Sequence, residues 1–63
     1  MKNKILKLRK SNGFTQAELA KKCNVSRQTI NAIENDRYDP TLKLAFKIAS
    51  ILNTTVDDVF QPD

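Results

Sequence analysis

Nothing in this chain can staple a fold together. Its 63 residues include one cysteine, Cys23, and no histidine. An internal disulfide is therefore excluded, and so is a zinc site built on cysteine and histidine ligands. A core of this size leaves a narrow stability margin. Most apolar residues must then be buried, and residues 1–63 are expected to form a single domain. The same shortages bear on function. The chain has one glycine, so no glycine-rich loop can cradle a phosphate, and no nucleophile–base pair is evident. An enzyme is the least expected class, and no metal, cofactor or small-molecule ligand is implied.

One glycine and two prolines, with few consecutive β-branched residues, argue against strands and hairpins. Apolar residues recur at helical spacing instead, which predicts an all-α fold. A first helix is expected over about Lys2 to Lys10, with Ile5 and Leu8 inward. Ser11-Asn12-Gly13 ends it, the glycine standing where a helix C-terminus wants a left-handed residue. Thr15-Gln16-Ala17-Glu18 reads as a capping box opening a second helix, Gln16 to about Cys23. Leu19, Ala20 and Cys23 form its inner stripe, so Cys23 is read as core rather than as a nucleophile. Asn24 suits a sharp left-handed turn, and Ser26 is a natural N-cap for a third helix, about Arg27 to Asn35.

Pro40 bars its predecessor from helix, and Thr41 caps a fourth helix, about Leu42 to Leu52. On a wheel of about 100° per residue, the apolar residues of that helix sweep roughly 220°. It is thus either central to the core or carries a second apolar face for a partner. Thr54 or Thr55 caps a short fifth helix through Val56, Val59 and Phe60, and Gln61-Pro62-Asp63 is read as a tail.

The third helix, within "NVSRQTINAIE" (residues 24–34), is unusual in its polar residues. Solvated helix faces are normally written in lysine and glutamate. Here Ile30 and Ile33 fall on one side, with Thr29 near them. Arg27, Gln28, Asn31 and Asn35 fall within roughly 100° on the other. A guanidinium can grip guanine O6 and N7 together, and carboxamides pair with adenine N6 and N7. An α-helix fits the major groove and reads bases mainly with its N-terminal residues, where Arg27, Gln28 and Asn31 lie. A merely solvated face would explain this helix alone about as well. The preceding unit favours the first reading: a capped helix, a turn of about three residues and a second helix with an inward Ile30. Ala20 is small enough to let the two helices approach, against Val25 and Ile30. The net charge of +4 suits a polyanionic partner.

The stretch "FTQAELAKKCNVSRQTINAIENDRYDPTLKLAFKIASILNTTVDDVF" closely resembles the lambda-repressor/Cro-like, or Xre-type, transcriptional regulators, and the resemblance runs from Ile5 to Phe60. It implies a compact five-helix domain with helices two and three forming the helix-turn-helix, in a family of mostly bacterial or phage regulators that are usually dimeric. Arg27, Gln28 and Asn31 match the family's base-reading positions. Gln16 matches a residue that binds a DNA phosphate with its side chain and helix N-terminus. Ser26 and Thr29 add hydroxyl contacts to phosphate, and Asn35, Arg37 and Tyr38 match the end of helix three and the loop that meets the DNA backbone. Arg9 and Glu34 match a structural ion pair tying helix one to helix three. The chain departs from the pattern at Asn24, often glycine, and at Cys23, often leucine.

The resulting expectation is a sequence-specific regulator of double-stranded DNA, a repressor acting as a homodimer on a near-palindrome. The dimer face is placed at Ile51, Val59 and Phe60, near helix five. An autorepressing antitoxin and a protein-interaction module of the same fold are the alternatives. No apolar run approaches the ~18 residues needed to span a bilayer, and no signal peptide is evident, so the expected location is the cytoplasm, without membrane contact.

Overall fold

Side chains decide where the helices begin. The computed structural model describes residues 1–61, and five helices account for most of them: α1 (Ile5–Ser11), α2 (Gln16–Cys23), α3 (Arg27–Glu34), α4 (Leu42–Ile51) and α5 (Val56–Val59). The capping box of α2 is complete. Thr15 Oγ1 accepts from the Glu18 amide, and the Thr15 amide donates back to Glu18 Oε1, both at 3.0 Å. Ser26 Oγ accepts from the Thr29 amide at 3.1 Å to open α3, and Thr41 Oγ1 accepts from the Leu44 amide at 3.2 Å to open α4. Each cap satisfies a backbone N–H that the helix itself leaves without a partner. Thr55 occupies the N-cap position of α5 but makes no capping bond; Thr54 instead donates to Asp58.

Left-handed backbone marks the ends. Gly13 has φ +76°, and Asn24, Asp36 and Asn53 each have φ +60°. Asn24 thereby ends α2 and turns the chain into α3 within three residues.

The core is one cluster. Ile5, Leu19, Ile30, Ile33, Ile48, Leu52 and Val59 are fully buried, with Ala20, Cys23, Ala45, Ala49 and Phe60 around them. Asn12 closes one end of it, donating from Nδ2 to the carbonyls of Leu8 and Leu52 at 2.8 and 3.3 Å. The wide apolar arc of α4 divides in two. Ala45, Ile48 and Ala49 face the core, whereas Leu42 and Phe46, one turn apart, are 70% and 60% exposed.

The structure corrects the expectation at both ends of the chain. Two short strands are present, β1 (Lys2–Asn3) and β2 (Phe60–Gln61), paired antiparallel with Lys2 opposite Gln61 and Asn3 opposite Phe60. Strands of two residues carry no alternation for a sequence pattern to show. The first helix starts at Ile5 rather than Lys2, because Asn3 Oδ1 accepts from the Ile5 amide and the Lys4 amide donates to the Val59 carbonyl. Phe60 lies in β2, not in the fifth helix. Gln61 pairs with Lys2 rather than belonging to a tail; the rest of that expected tail, Pro62 and Asp63, lies outside the described residues.

Two of the three residues expected at the dimer face, Ile51, Val59 and Phe60, are buried. Val59 and Phe60 are 0% and 6% exposed. Their side chains complete the chain's own core, so they are not available as a projecting surface. Ile51 is half-buried against the same cluster.

One ion pair crosses the edge of this core. Arg9 Nε donates to Glu34 Oε1 at 2.9 Å, with the two side chains only 11% and 9% exposed. Arg9 Nη1 also donates to the Phe14 carbonyl at 3.0 Å, so the guanidinium ties α1 both to α3 and to the loop before α2. Removing one partner strands a desolvated charge. Glu34→Ala is therefore expected to cost about 3–5 kcal/mol, a large share of the roughly 5–15 kcal/mol that holds a domain together. The double replacement Arg9→Met/Glu34→Leu should recover most of that loss. Urea unfolding of the three proteins checks both outcomes.

The capping box generates a second expectation. Hydrogen bonds from the Thr15 backbone and side chain hold the Glu18 carboxyl below its ordinary value of 4.5. A depressed carboxyl contributes stability that is present above that value and is lost as pH falls through the folded-state value. Glu18→Gln should therefore flatten the acid limb of the stability–pH curve, read by thermal unfolding between pH 7 and the acid range.

Candidate nucleic-acid interface

α2, the turn at Asn24 and α3 form a unit whose angle is set by small and branched side chains. Ala20 is 2% exposed and Ile30 fully buried, with Val25 packed against the same cluster. The Val25 amide donates to the Ala20 carbonyl at 3.0 Å, which locks the turn onto the end of α2. With Ile30 and Ile33 buried, α3 turns that side to the core, and its opposite side stays outward.

That outward side carries Arg27, Gln28 and Asn31. All three are exposed, and together they line a single surface depression. Among the described residues no hydrogen bond or ion pair engages the side chains of Arg27 and Gln28. Asn31 is different: its Nδ2 donates to Gln16 Oε1 at 3.3 Å. Gln16, half-buried at the start of α2, donates in turn from Nε2 to Glu34 Oε2. The Arg9–Glu34 pair, Gln16 and Asn31 thus form one chain of hydrogen bonds from α1 to the exposed side of α3.

The residues expected at the DNA backbone fall into two groups. Ser26 and Thr29 hydroxyls bond each other at 2.9 Å, and Asn35 Nδ2 is turned back onto the Asn31 carbonyl at 2.8 Å. These three side chains close the ends of α3. Arg37 and Tyr38 are exposed just beyond it, and the Arg37 amide donates to the Ala32 carbonyl at 2.8 Å, which fixes where the loop leaves the helix.

Asn3 was not legible as part of this unit. Its Nδ2 donates to the Ile33 carbonyl at 2.8 Å and to Asp36 Oδ1 at 3.0 Å, so it clamps the C-terminal end of α3 from 30 residues away in sequence. No local pattern announces such a contact. The exposed pair Leu42 and Phe46 did have a signal, the excess width of the apolar arc on α4.

Cys23 is buried at 3% exposure. Burial pushes its thiol above the ordinary value, with the charge of Lys47 opposing; such a thiol is a poor nucleophile. Among the described residues no group of three or more histidine, cysteine, aspartate or glutamate side chains is placed to hold a metal ion, and no helix is long and apolar enough to cross a membrane.

Comparison with known proteins agrees with this geometry. The sequence pattern of the helix-turn-helix family matches residues 5–59. The chain is 55% identical over 60 residues to the HTH-type transcriptional regulator MJ0272 of Methanocaldococcus jannaschii, covering 95% of this chain and 91% of the relative. It is 38% identical over 56 residues to the immunity repressor protein of Bacillus phage phi105, covering 89% of this chain and 39% of that longer protein. Among solved structures, it is similar to the biofilm master regulator SinR in complex with DNA, with a TM-score of 0.76 and 28% identity, covering 82% of this chain and 84% of the SinR chain in that structure. A mostly helical, five-helix architecture, a helix-turn-helix at α2–α3 and these relatives together place the chain in the lambda-repressor/Cro-like, Xre-type family of helix-turn-helix transcriptional regulators.

Proposed function

We propose that this regulator binds double-stranded DNA sequence-specifically, with α3 in the major groove, and represses transcription by occupying a near-palindromic operator as a homodimer. The observation that carries this reading is the division of α3. Its buried isoleucines fix its orientation, and the side so exposed presents Arg27, Gln28 and Asn31 rather than lysine and glutamate. Directional hydrogen-bonding groups on a rigid helix are what base edges require. The free amides at the start of α2, with Gln16, meet a phosphate there. Arg37 and Tyr38 hold the backbone beyond α3, with Ser26, Thr29 and Asn35 nearer the helix ends. Repression is favoured by the name of the phage relative, and the cytoplasm is the compartment where such a protein meets its operator.

The contact proposed for the homodimer is the exposed side of α4. Leu42 and Phe46 stand out from it, and Phe46 overhangs a cleft lined also by Ala49, Val56 and Phe60. A pair of large apolar side chains one turn apart is costly to leave in water, and a second copy presenting the same face would cover it. An interaction module of the same fold would keep this face and have no need of the reading side of α3. Selection of bound sites from a random duplex pool at near-physiological salt separates the two. Paired inverted half-sites about one helical turn apart support the dimeric reader; the absence of enrichment would reject it.

Arg27→Ala is expected to cost roughly 1–3 kcal/mol on the selected site and little on others, as for a guanidinium gripping guanine. Arg37→Ala should weaken all sequences similarly and lower the salt slope by about 1, as for a phosphate contact. Fluorescence anisotropy across a salt series reads both. Phe46→Glu should shift sedimentation equilibrium toward monomer and weaken binding to paired half-sites more than to one half-site.

A further inference from the structure

We infer that Gln16 is a positioning residue whose amide, oriented by the Arg9–Glu34 pair, fixes Asn31 so that its carbonyl oxygen is presented to an exocyclic amino group on a base. This rests on the reading of α3 as the base-reading helix and names the chemistry of one contact within it.

The reasoning is one of forced polarity. A carboxylate can only accept hydrogen bonds. Glu34 is held by Arg9 at 2.9 Å and is itself largely buried, so whatever approaches its second oxygen must donate. Gln16 therefore directs Nε2 toward Glu34, and its Oε1 must face the other way. That oxygen in turn can only accept, so Asn31 turns Nδ2 toward it, at 3.3 Å. Isolated carboxamides flip at little cost, but here each orientation is dictated by the one before it. Asn31 is left with Oδ1 and one remaining N–H. That set accepts from an amino group, as on adenine N6 or cytosine N4, and on adenine it also donates to N7.

Gln16 has two functions that substitution can separate. Gln16→Lys can still donate to Glu34 and adds a cation near DNA phosphate, yet it cannot accept from Asn31. We expect it to bind unselected duplex more tightly while losing discrimination roughly tenfold at one base pair, the pair at which Asn31→Ala also loses it. The losses should not add in the double variant, since both remove the same contact. Adenine methylated once at N6, or cytosine methylated once at N4, keeps its Watson–Crick pair but loses the groove-facing N–H; placed at that position it should weaken the wild type and leave little further effect in Gln16→Lys. If Gln16→Lys keeps wild-type discrimination at that pair, or if its loss adds fully to that of Asn31→Ala, Gln16 is a phosphate contact only and the inference fails. A second measurement needs no DNA. The Asn31 side-chain amide should be motionally restrained in the free wild-type protein and released in Gln16→Lys, by heteronuclear NMR relaxation. Equal mobility in the two proteins overturns the inference by itself, whereas a restrained amide in a protein that selects no DNA site overturns the regulator reading instead.

Discussion

The Glu34 carboxylate is the point on which the first three helices converge. It sits in the last turn of α3, accepts from Arg9 on α1 and accepts from Gln16 at the start of α2. A carboxylate removed from water is unfavourable unless its lone pairs are met, and the arrangement meets them with side chains from two other elements. The result goes beyond cohesion. Apolar packing around Ile30 and Ile33 is non-directional and tolerates small rotations. A guanidinium on a carboxylate does not, because both are planar groups with few good geometries. The ion pair gives α3 a defined rotation about its axis where the core alone would give only an approximate one.

The same helix then serves two environments with one turn of spacing. Buried isoleucines hold one side to the core, and exposed carboxamide and guanidinium groups occupy the other. α4 solves the opposite problem. Its apolar residues exceed what a core of this size can enclose, and the surplus, Leu42 and Phe46, emerges on the surface.

Much of this was legible from residue types alone because the signals are local. Thr15, Ser26 and Thr41 announce helix starts, Gly13 and Asn24 announce reversals, and the polar side of α3 stands out by composition. The pairing of β1 with β2 was not legible, since a two-residue strand has no period. For the same reason Phe60 was expected in the fifth helix rather than in β2. Apolar residues near a chain end look available for a partner until the end is seen to fold back and bury them. The orientation of Asn31 was likewise hidden, because it depends on Gln16 and Glu34, fifteen residues before it and three after. The polarity of an amide is visible only once its neighbours in space are known.

The pairing of the two chain ends has a consequence for the order of folding. The contacts among α2, α3 and α4 join segments close in sequence, whereas Lys2 meets Gln61 across nearly the whole chain. Closing so long a loop costs conformational entropy that local contacts avoid, and such pairings tend to form late. Asn3, which grips the Ile33 carbonyl and Asp36, travels with that strand. The clamp that Asn3 places on the end of α3 therefore closes only when β1 meets β2. Mechanically, the arrangement is a zipper: tension applied at the two ends would open β1 from β2 one bond at a time, and would loosen α3 before the core had yielded.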